Sequence, residues 1–347
     1  MDTSSLAFED ELSQRIADAA PELLFTGTTQ DELSAWQDAF RSVLVPLLGK
    51  QPERVDPALE LVGDSVDCGS YTRQKVTYRS EVEIRVPAYL LIPNDLAPDE
   101  RRPGLLCIHG HGQFGKDSVV GLNDTPERQA EIDKLKYDYG QQLAEDGFVV
   151  LAPDLRGFGE RSLYYPEKRK DHCYRNYMCA TLLGTTVMAL NMCDLYAGLD
   201  VLATSLHVDA HKLGCVGLSL GGRMTMMMAA LDHRISIAVP SGCMNLFQER
   251  YQAIHQCGAQ LIPGLLRYGD TPEIFSLVAP RPMVVEIGTS DPLIPHEWRD
   301  RGLARVRKAY AAAGIEDQLF VDAFDGGHAF NGTVARPVLQ RWRNDAL

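Results

Sequence analysis

From residue 103 onward, short apolar runs alternate with helical segments, and this alternation leaves the chain few folds to choose from. The runs "GLLCIHG", "FVVLAPD", "KLGCVGLS", "RISIAVPSG", "PMVVEIGTSD" and "LFVDAFDGGH" are almost continuously apolar. Strands of that kind are buried on both faces, as happens when helices cross over between parallel strands. The helical segments are "EIDKLKYDYGQQLAEDG", a long helix over 179–206, a helix over 220–231 and "EWRDRGLARVRKAYAAAG"; residues 243–279 read as irregular. The expected class is α/β, a mostly parallel central sheet with helices on both faces.

The first hundred residues follow a different pattern. Apolar residues at three and four spacing predict helices within 6–48, the second capped by Thr29 or Asp31 and followed by Gly49. After "KQPERVDP", residues 59–93 alternate as strands with no helix between them, which implies antiparallel pairing at the N-terminal edge of the sheet. The expected organisation is a helical N-terminal appendage over 1–55, serving as a lid or as a homodimer interface, and a catalytic domain over 56–347. Inserts at 113–131, 158–180 and 243–279 would line the pocket.

Composition narrows the class of partner. With 45% hydrophobic residues in a chain of 347, a large core is available, and the formal net charge of −13 argues against nucleic acid. The basic cluster "EKRKDH" reads as a solvated loop. The stretch "CATLLGTTVMALNMCDLYAGLDVLATS" carries Asn191, Asp194 and Asp200, costly in lipid, so a buried helix is expected rather than a membrane span. The N-terminus shows no basic segment followed by an apolar one, and a cytoplasmic location is the expectation. Eight scattered cysteines without paired ligand spacing read as reduced packing groups, with no metal site.

In parallel sheets the functional residues gather beyond the carboxyl ends of the strands. One such end, Gly217-Leu218-Ser219-Leu220-Gly221, joins a strand to a helix, and its small flanking residues permit a tight turn that exposes the serine hydroxyl. A hydroxyl needs a base, and His328 in "FDGGHAF" follows the last strand; His109, His111, His255 and His296 are the competitors. Asp291 in "EIGTSDPLIP" is the expected carboxylate for the imidazole, ahead of Asp322, Asp325 and Glu286. A glutamate such as Glu286, inside a core strand, must be paired or raised in pKa, which suits a supporting role. Developing negative charge would be met by the N–H of Leu220 and that of His111, with Gly112 as the alternative. Gly112, Gln113, Tyr251, His255 and Tyr268 are candidate pocket residues, and Tyr164, Tyr165 and Phe247 could join them or simply pack over the sheet. The methionine-rich "RMTMMMAAL" reads as a core helix.

Taken together, the segments "AWQDAFRSVLVPLLG", "HGHGQFGK", "DLRGFGE", "VGLSLGGRMT", "PGLLRYGD", "LVAPRPMVVEIGTSDPLIP" and "DGGHAF" make the chain resemble the α/β-hydrolase superfamily. Within it, the chain is similar to dienelactone-hydrolase-like and acetyl-xylan-esterase-like bacterial esterases. The resemblance implies Ser219 as nucleophile, Asp291 as acid and His328 as base. It departs from dienelactone hydrolases proper, whose nucleophile is a cysteine, and from secreted xylan-acting relatives, which carry an export signal. Prolyl-oligopeptidase relatives carry a β-propeller for which residues 1–100 leave no room.

The expected activity is cleavage of a small-molecule carboxylic ester with a small acyl group such as acetyl, through an acyl-enzyme, with no cofactor. Two alternatives remain at this level: carbon–carbon cleavage of a β-diketone-like substrate on the same scaffold, and a non-catalytic binding module.

Overall fold

A computed structural model describes residues 7–165, 172–253 and 257–347, without the side chains of 252 and 253. The N-terminal segment forms α1 (Phe8–Ala17) and α2 (Gln30–Leu47). Thr29, one of the two expected caps, closes a capping box with Glu32. The edge of the sheet follows: β1 (Glu60–Leu61), β2 (Val66–Asp67), β3 (Tyr71–Glu81) and β4 (Ile84–Pro93). The alternating region comprises β5 (Arg102–Ile108), α3 (Lys116–Val119), α4 (Pro126–Leu135), α5 (Tyr139–Glu145), β6 (Val149–Pro153), α6 (Cys173–Leu182) and α7 (Val187–Thr204). It continues through β7 (Val208–Leu218), α8 (Leu220–Leu231), β8 (Ile235–Ser241), α9 (Phe247–Ala253), α10 (Thr271–Ser276), β9 (Met283–Gly288), α11 (His296–Ala312), β10 (Leu319–Phe324) and α12 (Ala335–Arg343).

Among the described residues these strands make one sheet in the order β1-β3-β4-β6-β5-β7-β8-β9-β10, with β2 on β3. The β3–β4 and β4–β6 pairs are antiparallel, and the pairs from β6 through β10 are parallel. Period-two alternation then splits each strand between two cores. Leu106, Ile108 and Cys215 face one core with α7, α8 and α11, while Leu105, Cys107, Val216 and Leu218 face the other with α5 and α12. The class expected from the sequence is therefore the class found.

Two expected helices are each divided. The helix over 179–206 is α6 and α7, because Gly184 turns left-handed at φ +73° and the Thr186 hydroxyl accepts the Ala189 N–H to start a new helix. The helix of "EIDKLKYDYGQQLAEDG" is the end of α4 and α5, separated where Lys136 adopts φ +49°. The irregular stretch of 243–279 holds α9 and α10. Most of "EKRKDH" lies outside the described residues. Helix α7 is long and apolar enough to cross a membrane, but 72% of that stretch is buried inside the fold. Its Asp194 is matched by Arg156 and Arg161. The buried methionines of α8 sit in the core as the sequence suggests.

Helix α2 does not stand apart from the rest. Leu33, Phe40 and Leu44 are fully buried in the same core as α8, α10 and α11. Gln37 Nε2 donates to the carbonyls of Ser276 and Ala279, and Arg41 Nη2 to that of Leu277. Burying a side chain of phenylalanine size stabilises by several kcal/mol, so Phe40→Ala is expected to cost about 3–5 kcal/mol, read as a lowered denaturant midpoint. Deleting residues 1–50 is expected to yield insoluble or unfolded protein, measured by size-exclusion recovery; a folded, soluble truncation would show that α2 is dispensable to the core.

Candidate active site

The turn between β7 and α8 is held in a conformation few residues adopt. Ser219 sits at φ +63°, ψ −116°, half-buried, its N–H donating to Ser241 O at 2.9 Å. A non-glycine residue there is strained by of order 1–3 kcal/mol, and such outliers cluster at functional sites. Space explains why Gly221 follows: a Cβ there would lie 1.8 Å from the carbonyl oxygen of Ile108 at the end of β5. Any side chain would push α8 off the sheet.

His328 and Asp291 meet across two neighbouring strand ends. His328 Nδ1 lies 2.6 Å from Asp291 Oδ2, and Asp291 Oδ1 accepts the N–H of Leu293. The two loops are laced together, Thr289 N–H donating to Phe324 O and Ser290 N–H to Gly326 O. The imidazole passes 3.1 Å from where a side chain on Gly242 would begin, and Gly242 follows the residue whose carbonyl holds the Ser219 N–H. Serine and histidine thus both border the end of β8. Their side chains make no hydrogen bond among the described residues, a contact that in ligand-free enzymes often closes only on substrate.

Glu286, the weighed alternative acid, lies inside β9 and supports the histidine loop instead. Its carboxylate accepts the N–H of Gly332 at 2.7 Å and of Asn331 at 3.3 Å, and burial pushes its pKa up to about 7. Asp322 accepts from the Asn331 side chain. Asp325 follows the end of β10.

The loop after β5 is fixed from two sides. The Gly110 N–H donates to Tyr137 Oη at 2.5 Å and the Gln113 N–H to Glu131 Oε2 at 2.6 Å, anchoring the amides on either side of His111 and Gly112. A Cβ on Gly110 would lie 2.9 Å from the Cβ of Ser219, so this loop borders the serine. Leu220 opens α8, where the first N–H groups have no partner in the helix and the helix dipole is positive. These are the elements an oxyanion site needs.

His109 serves another purpose. Fully buried, it accepts the Leu155 N–H at Nε2, lies 2.7 Å from Gly110 O at Nδ1, and is kept neutral by burial, which lowers its pKa. It joins "HGHGQFGK" to "DLRGFGE". Sequence reasoning missed the stronger link between the same motifs. Lys116, fully buried, donates to Asp154 Oδ2 at 2.8 Å and to Glu160 Oε1, while Asp154 Oδ1 accepts the Lys116 N–H. Burial alone would lower the lysine pKa; the carboxylates of Asp154, Asp117 and Glu160 outweigh it and hold the ammonium charged. Charged residues inside glycine-rich strand ends were the available signal.

The candidate pocket residues divide. Gln113 and Gly112 pack on Glu131 and Tyr137 beside the serine loop. Tyr251 is half-buried against the main core, its hydroxyl unpartnered among the described residues. Tyr268 is tied instead to the N-terminal segment, its carbonyl accepting the Leu23 N–H. His255 lies outside the described residues. Phe247 lies under the buried Arg223 guanidinium, 4.4 Å from its ring centroid, and Tyr165 donates to Asp117, both packing roles. Tyr164 stacks on His172 in a hollow shared with Arg161 and Arg175. His296 opens α11. Spacing also hid a cluster of His111, Cys173 and Cys257, whose ligand atoms all lie within 4.8 Å of one another.

A strand-helix serine with a histidine and aspartate on later strand ends, over a sheet of this order, defines an α/β-hydrolase. The chain belongs to the Abhydrolase family, whose model (Abhydrolase_7) matches residues 11–325. It is 28% identical over 268 residues to the Bacillus subtilis (strain 168) protein named "Putative hydrolase YtaP", covering 74% of this chain and 84% of that one. The fold is shared with a structure from Bacteroides fragilis NCTC 9343 described as "a putative acetyl xylan esterase", at TM-score 0.78 and 21% identity, over 92% of this chain and 83% of the other. It is shared with a glucuronoyl esterase from Solibacter usitatus at TM-score 0.66 and 15% identity, over 93% and 96%.

Two outcomes test the supporting groups. Lys116→Met leaves Asp154 buried and unpaired, and is expected to cost about 3–5 kcal/mol in a denaturant melt. Glu286 has a folded pKa above its unfolded value of 4.5, so its contribution is fully present below 4.5 and is lost as pH rises toward about 7. Glu286→Gln is expected to remove up to about 3 kcal/mol of that fall, flattening stability between those limits. Unchanged pH dependence in the variant would refute this assignment.

Proposed function

We propose that this chain is a serine hydrolase that cleaves a carboxylic ester, with Ser219 as nucleophile, His328 as general base and Asp291 as the residue orienting the imidazole. The single observation that carries the reading is the 2.6 Å contact of His328 Nδ1 with Asp291 Oδ2 beside a serine at φ +63°. That contact favours the tautomer with hydrogen on Nδ1, leaving the Nε2 lone pair to take the Ser219 proton.

In the first half-reaction Ser219 Oγ bonds to the ester carbonyl carbon while His328 takes the hydroxyl proton. The tetrahedral oxyanion is met by the backbone N–H groups of Leu220 and His111. Collapse breaks the bond to the alcohol oxygen, which leaves with the proton from His328. Water then attacks the acyl-enzyme, His328 accepts its proton, and the carboxylic acid is released with Ser219 restored.

A small acyl group such as acetyl suits this reading, because neighbours of the same fold include proteins described as acetyl xylan esterases. The substrate proposed here is a small-molecule ester, with the alcohol side met by the inserts around α6 and α9.

A fluorophosphonate probe is expected to label Ser219 once per chain. Ser219→Ala is expected to lower kcat on an acetyl ester roughly a million-fold and Asp291→Asn about ten-thousand-fold. Retained turnover in Ser219→Ala, together with no labelling of the native protein, would overturn the proposal.

A further inference from the structure

Three side chains outside the proposed reaction converge beside the loop after β5. Among His111, Cys173 and Cys257 the ligand atoms all lie within 4.8 Å of one another, and Cys173 Sγ is 3.9 Å from His111 Nε2. Each comes from a separately fixed element. The His111 loop is anchored by Tyr137 and Glu131, and its ring meets Phe158 edge-on at 5.4 Å between centroids. Cys173 is the first residue of α6.

Cys257 precedes a short 3-10 turn, Gly258–Gln260, that presses directly on α6. The approach requires glycine, since a Cβ on Gly258 would lie 2.6 Å from the Cys173 carbonyl oxygen and 2.7 Å from the Tyr177 Cβ. Backbone packing, rather than the reach of flexible side chains, therefore sets the two sulfurs together. The Cys257 sulfur also accepts the Ala259 N–H at 3.3 Å, which fixes its direction.

Two thiols and an imidazole form a donor set suited to a borderline-soft cation and poorly suited to magnesium or calcium. A tetrahedral zinc ion with sulfur at about 2.3 Å and nitrogen at about 2.0 Å places its ligand atoms roughly 3.5–3.8 Å apart. The 3.9 Å contact is already close to that edge, and the 4.8 Å limit leaves a contraction of about 1 Å at most.

We propose that His111 Nε2, Cys173 Sγ and Cys257 Sγ bind one thiophilic divalent cation, with zinc the ion that best fits the donors. On binding, two S–H bonds break, both protons pass to solvent, and the two thiolates and the Nε2 lone pair form three bonds to the cation. The bound unit then carries no net charge, and a fourth position is left for water. The ion would clasp the loop after β5, α6 and the turn before Gly258 at one point, joining the border of the serine to two inserts.

The test uses the full-length chain, reduced and stripped with a chelator, titrated with cobalt(II) and then zinc(II). One cobalt per chain is expected, with tetrahedral d–d bands and a thiolate-to-metal charge-transfer band that zinc bleaches. X-ray absorption of the zinc-loaded native chain should show two sulfur neighbours at about 2.3 Å. Cys173→Ser and Cys257→Ser should each weaken zinc binding by at least about 100-fold, because even removing a group that hydrogen-bonds to a ligand reaches that scale. Cys179→Ser, at the exposed thiol of α6, should not. Should the serine variants fail to fold, the native spectra decide: no charge-transfer band, or no sulfur neighbour at zinc, overturns the site. Undiminished affinity in either variant, or a Cys173–Cys257 disulfide as the only reaction of the pair, overturns it as well. Ester hydrolysis is not the readout, so neither result bears on the triad.

Discussion

Everything at the site depends on α8 pressing against the end of β5. The Ser219 turn holds its left-handed conformation because β7 and α8 meet at an angle that only Gly221 tolerates beside the Ile108 carbonyl. Straightening that turn would move α8, and α8 carries a fully buried face of methionines packed under the sheet. The strain at one serine is therefore held by the burial of a whole helix, which is the larger energy. Buried Arg223 adds to the hold, donating to Thr271 and Asn245 in the 243–279 insert. The same contact places the loop after β5 beside the serine.

That loop needs fastening of its own, since backbone amides can stabilise a developing charge only if they are already in place. Its fastening is electrostatic where the core could not supply it. Lys116 and Asp154 are both buried, and removing either would strand the other's charge in a low-dielectric interior. Such a pair gives little net stability compared with packed hydrocarbon. What it does give is a single geometry between two glycine-rich loops that otherwise have few side chains to pack. His109 reinforces the same junction with a neutral ring, so three groups from two motifs converge on one seam.

The parts of this arrangement visible in the sequence are those governed by short-range rules. Apolar runs gave the parallel strands, their ends gave the loops bearing Ser219, Asp291 and His328, and alternation over 59–93 gave the antiparallel edge. The misreadings came where local signals were weak or competing. Apolar character runs straight through 179–206, so nothing but Gly184 and Thr186 marks the break between α6 and α7. Helix α2 reads as an appendage because its charged face is as prominent as its apolar one; only the fold shows that Gln37 and Arg41 hydrogen-bond to carbonyls of the main body. Cys173 and Cys257 are far apart in sequence, and ligand-spacing rules find only sites built within one local motif. Lys116 was legible as a residue and illegible as an anchor, because its partner Asp154 lies beyond the neighbouring strand β6, far from it in sequence.

The contrast between strand ends and inserts also bears on how such a fold can change its substrate. Ser219, Asp291 and His328 are held by the sheet itself: the Ser219 N–H by β8, Asp291 and His328 by the laced loops after β9 and β10, and the loop beyond His328 by Glu286 within β9. None of these contacts involves α6, α9 or the turn at Gly258. Helix α6 and the turn at Gly258 instead touch one another and the outer side of the β5 loop, with Gly258 against Cys173 and His111 against Phe158. The parts built on α6 and the Gly258 turn can therefore be reshaped without disturbing these contacts, provided the β5 loop keeps its anchors at Tyr137, Glu131 and Lys116. The inserts reach the proposed triad at more than one point: His111 follows Gly110 beside the serine while its side chain faces the two thiols, and Arg250 of α9 donates to the Leu293 carbonyl in the Asp291 loop. A device that couples the pocket wall to the proposed chemistry has both of these points to act through.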